Sequence, residues 1–335
     1  MSLATALLGL TWLSVTAYAL LGGADFGTGF WDLIAGDAQR GRPRRTLIEH
    51  SIGPVWEANH VWLIFILVVM WTGFPGLFGA VSSTLWIPLT IAAFGVIARG
   101  SAFAFRKNVT VLWQRRLFGA AFAASSVITP FFLGAAAGGV AAGRVPPGIG
   151  LGNAITSWWN PVSVLTGVLA VVVCAYLAAV YLTADARRAG DDSLIAAFRV
   201  RALGAGLAAG VIAAAGLGVL HGDAPALAHG LLHRGLPLVV LSALAGIVAL
   251  VLIFLRRFVL ARVAAGLAVT AVIWGWALAQ YPYLLRSRLT IAAAAATHSI
   301  LLATLVSLLV GAVLLAPSLA WLYVIFQRGQ QTHPH

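Results

Sequence analysis

One cysteine, Cys174, occurs in the whole chain, inside an apolar run. An internal disulfide is therefore excluded, as is any cysteine-built metal site. Charge is also scarce. Only 9% of residues are Asp, Glu, Lys or Arg, where an ordinary soluble domain carries about a quarter. Acidic residues are the rarer sign, nine against 21 basic ones. There is no long polar stretch to form a soluble domain, and no P-loop, HExxH or GxSxG motif. Short alternating segments of the outer-membrane barrel kind are missing too. A soluble globular enzyme, a disordered chain and a nucleic-acid-binding module are all excluded.

What the 335 residues do have is apolar length: 61% are hydrophobic and the mean hydropathy is +0.97. A membrane-crossing helix needs about 20 mostly apolar residues. Nine runs qualify, at 3–33, 55–73, 78–104, 117–142, 162–184, 200–220, 235–255, 262–284 and 296–326. Irregular backbone cannot face lipid, so each is expected to be a helix. The N-terminus has no basic region, and its first run is too long for a signal peptide, so it is read as a retained span. The net charge of +12 is read as topology. With the N-terminus outside, inner loops and tail carry sixteen basic residues and outer loops four, Arg144, Arg234, Arg286 and Arg288. Arg40, Arg42, Arg44, Arg45, Lys107, Arg187, Arg188, Arg256, Arg257 and Arg262 are among the inner set, which puts the C-terminus in the cytoplasm. Trp71, Trp86, Trp158, Trp159, Tyr281 and Tyr283 are expected at the outer interface, with Trp31, Trp113, Trp321 and Tyr323 at the inner one. Ala and Gly runs in the fourth and sixth spans are expected to let helix backbones approach closely. The tail 328–335 is short and polar.

Ionisable groups within spans are costly to bury and therefore informative. Four stand out: Asp25 and Asp32 in the first span, Glu57 in the second and Arg99 in the third. Asp25 and Asp32 are seven apart and share a helix face, with Gly22, Gly29 and Gly36 on a neighbouring stripe suited to tight packing. Glu57 follows Pro54, a suitable first residue for the second span. A carboxylate there is favoured by the helix dipole. Arg99 is one heptad before Arg106, about 10 Å above the inner surface. Two readings stand for this cluster: a proton relay open to the cytoplasm, or an ion pair tying helices together. Asp32 lies lowest and reads as a solvated boundary residue.

The eight histidines form no haem or metal spacing. His60 stands three residues after Glu57, within reach of it. His229 and His233 are four apart, a metal-compatible pair lacking a third ligand. These, with His50, His221 and His298, are read as hydrogen-bonded residues at span edges. His333 and His335 fall in the tail.

Two stretches together resemble a known family: Gly22-Gly-Ala-Asp-Phe-Gly-Thr-Gly29 and His50-Ser-Ile-Gly-Pro-Val-Trp-Glu-Ala-Asn-His-Val-Trp-Leu63. They are similar to subunit II of cytochrome bd-type quinol oxidases. Ile128–Gly134, Trp274–Tyr283 and the basic end of the third span around Arg99 and Arg106 look like the same family. The resemblance implies an all-α, nine-span protein built as two four-helix bundles, at 1–143 and 144–285, plus a ninth span at 286–327 and the tail. It implies pairing with a haem-bearing subunit I that carries b-type and d-type haems. No haem or metal is expected to be held firmly by this chain, though a structural quinone or lipid fits. It also implies assembly and haem retention, quinol and oxygen as substrates of the complex, small single-span accessory subunits, and the bacterial cytoplasmic membrane. Asp25, the Trp56–Glu57 pair and Arg99 match the family's proton-path positions, and Asn59, His60 and Trp62 continue that motif. Two departures are visible: Glu57 where many members have aspartate, and Arg286 and Arg288 where many have proline after Tyr-Pro-Tyr.

Two rival readings make different demands. A proton-coupled transporter would break its helices near the midplane in both halves, and Pro88, Pro130 and Pro237 are the candidate breaks. A haem-binding membrane cytochrome would need paired axial ligands deep in neighbouring spans.

Overall fold

The computed structural model describes residues 2–36, 41–52, 56–106, 111–285 and 289–329. Arg40, Pro54, Lys107, Arg286, Arg288, His333 and His335 lie outside the described residues. So do the side chains of Trp56, Glu57, Arg106, Arg115, Tyr323 and Arg328.

The first span is a composite: α1 (Leu3–Ala17), a π-helical turn (Tyr18–Gly22) and α2 (Gly23–Leu33) run on without a break. A further helix, α3 (Arg42–Ile52), stands where the sequence reading placed a loop, and its Leu47 and Ile48 are buried. The second span is α4 (Trp56–Gly73).

The expected run 78–104 is two helices, α5 (Pro75–Thr84) and α6 (Trp86–Arg106). The reason is proline placement. Pro88 has no N–H to give the Thr84 carbonyl and is tolerated best in the first turn of a helix, which is where it stands in α6. Pro75 begins α5 after Phe74, whose φ of −137° and ψ of 59° are non-helical. The result is a 118° bend between α4 and α5.

The fourth span is α7 (Leu112–Ala141), which continues through Pro130. It is followed by α8 (Pro161–Arg188) and α9 (Asp192–Asp223), then a short α10 (Pro225–His233), α11 (Leu236–Phe254) and α12 (Phe258–Gln280). Pro237 falls in the first turn of α11, where a missing N–H costs nothing. So neither Pro130 nor Pro237 breaks its helix. The eighth span stops four residues earlier than expected. Pro282 follows, and Tyr283–Leu285 (β1) pairs antiparallel with Leu289–Thr290 (β2). This short hairpin sits in an otherwise all-helical chain, as expected. A one-turn α13 (Ile291–Ala294) and the long α14 (His298–Gly329) complete the chain.

Among the described residues, eight helices are long and apolar enough to cross a membrane, or nine if the bent pair counts as one span. Burial is uneven among them. α8 is the central helix and packs against α2, α7, α9 and α12. Half of its most apolar stretch is buried, against 11% for α9 and 6% for α14. The expected close approach holds for the fourth span: a Cβ at Gly134 would stand 2.7 Å from the Thr166 carbonyl oxygen. The sixth span is mixed: a Cβ at Gly206 would stand 2.7 Å from the Tyr176 ring and one at Gly216 2.9 Å from the Leu165 side chain, whereas Gly204, Gly210 and Gly218 face open space. Trp31 also departs from the interface reading. It is buried, and its indole N–H donates to the Ala175 carbonyl at 2.8 Å. An inward acceptor on α8 outweighs the interfacial preference at that position.

Candidate functional site

Asp25 and Arg99, 74 residues apart in sequence, meet inside the helix bundle. Arg99 is 1% exposed and Asp25 6%. The guanidinium donates from Nη2 to Asp25 Oδ1 at 2.9 Å and from Nε to Oδ2 at 3.4 Å. Nη2 also donates to the Asp25 backbone carbonyl at 2.7 Å, and Nη1 donates to Ser126 Oγ on α7. Phe26 and Phe122 cover the guanidinium, with ring centroids 5.0 and 4.2 Å from its carbon. Every bond is made inside protein, which is the condition for keeping a charge at such depth.

Glycine makes the room. A Cβ at Gly29 would stand 1.9 Å from Ser126 Oγ and 2.9 Å from Arg99 Nη1. One at Gly27 would stand 1.8 Å from the Cys174 carbonyl oxygen, which seats α2 against α8. One at Gly95 would meet Thr129 Oγ1 at 2.2 Å, which seats α6 against α7. Of the three glycines expected to form the packing stripe, Gly29 makes that contact. Gly22 meets only Tyr18 of its own turn, and Gly36 lies beyond the helix with φ +102°. The seven-residue spacing reports one face only within α2 (Gly23–Leu33): Gly22 ends the π-helical turn and Gly36 lies past the helix end.

The second span approaches the same place. Asn59 is buried, and its Nδ2 donates to the Leu21 carbonyl in the π turn at 3.3 Å. The ring of the half-buried His60 lies 6.3 Å from that of Tyr18 and 6.2 Å from that of Phe26. Among the described residues, no hydrogen-bond partner reaches the buried Tyr18 hydroxyl or Asn59 Oδ1. The structure thus brings Asp25, Arg99, Asn59 and His60 into one region. Trp56 and Glu57 open the same helix α4, one turn before Asn59 and His60.

Asp32 is not the solvated boundary residue expected. It is buried and accepts from Arg45 Nε at 3.0 Å. Arg45 also donates to the Gly36 carbonyl at 2.8 Å, and Arg44 to the Ala35 carbonyl at 3.1 Å. Arginines of α3 thereby satisfy the open C-terminal end of α2, a favourable place for cations. Ser126, Phe122, Phe26 and Tyr18 went unnoticed in the sequence. The Ser125-Ser126 pair in an otherwise apolar span was the available signal.

Elsewhere, His229 and His233 stack with ring centroids 3.8 Å apart. Among the described residues, no three His, Cys, Asp or Glu side chains come together as a metal site, and no histidine is fully buried. That donor set does not fit a haem with two axial histidines held within this chain.

Comparison with known proteins agrees with the arrangement. The family model described as cytochrome bd terminal oxidase subunit II matches residues 3–326. The chain is 29% identical over 167 residues to the cytochrome bd ubiquinol oxidase subunit 2 of Bacillus subtilis (strain 168), covering 50% of this chain and 48% of that protein. It is 25% identical over 172 residues to the cytochrome bd-I ubiquinol oxidase subunit 2 of Escherichia coli (strain K12), covering 49% and 44%. The matched region thus spans about half the length of these curated relatives. A chain from the structure of the bd oxidase from Geobacillus thermodenitrificans superposes with a TM-score of 0.77 at 25% identity, over 97% of this chain and 99% of that one.

Proposed function

The chain belongs to the cytochrome bd terminal oxidase subunit II family, and from that premise we propose that it is the haem-poor second subunit of a quinol-oxidising, oxygen-reducing complex. Its partner is a subunit I that holds the b-type and d-type haems. Quinol and oxygen are the substrates of the complex, and small single-span subunits are further partners. The complex sits in the bacterial cytoplasmic membrane, with this chain's N-terminus outside and its C-terminus in the cytoplasm. Spans 1–4 (1–143) and 5–8 (144–285) form two four-helix bundles, with the ninth span (286–327) beside them and the tail 328–335 in the cytoplasm. The chain supports assembly and haem retention, and a structural quinone or lipid fits between its helices.

Its direct contribution to the reaction is a proton path from the cytoplasm through Asp25 and Glu57. Arg99 and Trp56 line the path, and Asn59 and His60 are secondary members. The carrying observation is the bonding of Arg99. Two of its acceptors, the Asp25 carbonyl and Ser126 Oγ, are neutral. The guanidinium therefore keeps its anchors whether or not the Asp25 carboxyl bears a proton. A carboxyl beside a fixed cation can then gain and lose a proton without moving the helices. Depth supports the same reading. Asp25 is eight residues from the end of α2 and Arg99 seven from the end of α6, about 10–12 Å from those ends, which are the cytoplasmic ends in the proposed orientation. The unpartnered Tyr18 hydroxyl and Asn59 Oδ1 are groups that bind water when buried.

Oxygen consumption and the visible haem spectrum of the assembled complex test the proposal together. Glu57→Gln is expected to slow oxygen uptake with the haem spectrum intact. Unchanged turnover in the Asp25→Asn/Glu57→Gln double variant would refute the relay. Loss of haem in that variant would make the pair structural.

A further inference from the structure

A second polar feature lies away from the Asp25–Arg99 pair, where α8 turns into α9 and α11 into α12. It is an open pocket of about 510 Å³ lined by Arg187, Arg256, Arg257, Asp192, Leu255 and Phe258 among others. Three arginines face one aspartate. Arg187 donates to the Arg256 carbonyl at 3.0 Å and lies over the Phe258 ring at 5.9 Å. Among the described residues, the side chains of Arg256 and Arg257 make no hydrogen bond or ion pair.

The backbone gives a second observation. α11 ends in a turn where the Arg257 N–H donates to the Leu252 carbonyl at 2.8 Å and the Arg256 N–H to that of Ile253 at 3.2 Å. This pattern calls for a left-handed residue between them, normally glycine. Here that residue is Arg256, at φ +58°, the one non-glycine residue with positive φ among those described. The fold tolerates strain to keep an arginine there. The third observation is the shoulder of the pocket. Phe254 and Leu255 are 65% and 59% exposed, and α11 continues away from the arginines with Val251, Val248 and Leu244 exposed in turn.

We infer that this pocket binds an anionic phospholipid, its phosphate held by Arg187, Arg256 and Arg257 and its acyl chains laid along the outer face of α11. Cationic clusters at the ends of membrane helices attract acidic headgroups, and guanidinium groups suit phosphate oxygens. The inference needs only that the chain spans a membrane and is independent of the proton path.

Native mass spectrometry of the full chain in its assembled complex tests it, with cardiolipin, phosphatidylcholine and inorganic phosphate as probes. Cardiolipin is expected to bind and phosphatidylcholine to stay at background. At about fivefold per arginine, R256Q/R257Q weakens cardiolipin about thirtyfold. R256G weakens it about fivefold while holding or raising thermal stability, because glycine relieves the left-handed turn. Asp192→Asn tightens it about fivefold. If R256Q/R257Q does not assemble, R256G and Asp192→Asn decide. Cardiolipin binding unchanged by these variants overturns the proposal. So does inorganic phosphate that displaces cardiolipin at matched concentration, which would mark a site for the free ion.

Discussion

Asp25–Arg99 and Asp185–Arg262 are the same chemistry in two surroundings. In each, an arginine on one helix reaches an aspartate on another, at 2.9 Å in the first and 2.6 Å in the second. In each, the same guanidinium donates to a backbone carbonyl, of Asp25 in one and Tyr181 in the other. Each arginine also lies over an aromatic ring. The side chains of the first pair are 1% and 4% exposed, those of the second 24% and 23%. Asp185 is shared with Arg188 at 2.9 Å and stands where α8 meets water. Arg99 lies against the Phe26 and Phe122 rings, and the glycines of α2 let the neighbouring helices close in around the pair. Charge pairing alone therefore does not mark a site. The packing that excludes water, and the bonds that replace that water, separate a buried pair from a surface tie.

The largest test of the comparison removes each arginine. Arg99→Met strands a buried carboxylate and is expected to cost about 3–5 kcal/mol. Arg262→Met leaves an aspartate that water and Arg188 still serve, and is expected to cost at most about 1 kcal/mol. Denaturant titration of the purified complex measures both, and equal losses would erase the distinction. Next in size are the walls. Gly27→Ala drives a Cβ into the Cys174 backbone and is expected to cost about 1–3 kcal/mol, because backbone cannot move aside cheaply. Gly210→Ala on the open face of α9 meets nothing within 4 Å and is expected to stabilise by roughly 0.5–1 kcal/mol. A thermal melt of each variant reads the sign.

The parts of this architecture that the sequence carried are those set by composition. Apolar runs mark the spans because lipid tolerates little else. Asp25 and Arg99 stand out because intramembrane charge is rare. Other parts depended on geometry with no local signature. The partner of Asp32 required α3 to be a helix pointing Arg45 back at α2, and Arg42–Ile52 is basic enough to pass for a loop. Trp31 turned inward because a carbonyl on α8 lies within reach. The packing contacts fall at Gly29, which the seven-residue count finds, and at Gly27, which it does not. Ser126 is one of three hydroxyl residues, with Ser125 and Thr129, among the thirty of α7, and its bond from Arg99 is what distinguishes it.

A smaller effect sharpens the exposed side of the comparison. Asp185→Asn keeps both oxygen and nitrogen in place and removes only the charge that serves Arg188 and Arg262. The expected loss is about 0.2–1 kcal/mol at low ionic strength. It is expected to fade in salt, as exposed pairs are screened. The thermal midpoint of the wild-type and variant complexes across a salt series checks this. A loss that persists at high salt would mean that the second pair is as shielded as the first.

The smallest effect concerns a carboxylate with no cation. Asp191, in the turn between α8 and α9, accepts the Ser193 and Leu194 backbone N–H at 2.9 and 3.0 Å and the Ser193 hydroxyl at 2.6 Å. It is the N-cap of α9. The Ser193 hydroxyl first, then the Leu194 N–H, hold its carboxyl below the usual carboxylate range. A depressed folded value means the cap stabilises fully above the unfolded carboxylate pKa of about 3.9. That stabilisation is lost as pH falls through the lowered folded value. Asp191→Asn keeps an acceptor for both amides and is expected to remove the pH dependence while leaving the helix start in place. Asp191→Ala removes both. Hydrogen exchange at the Ser193 and Leu194 amides, corrected for intrinsic rates between pH 6 and pH 3 on the scale of these carboxylate values, separates the two variants. Because no arginine takes part, this pH response is expected to be indifferent to salt. Hydrogen bonds to the chain itself can therefore bias a carboxylate without any cation.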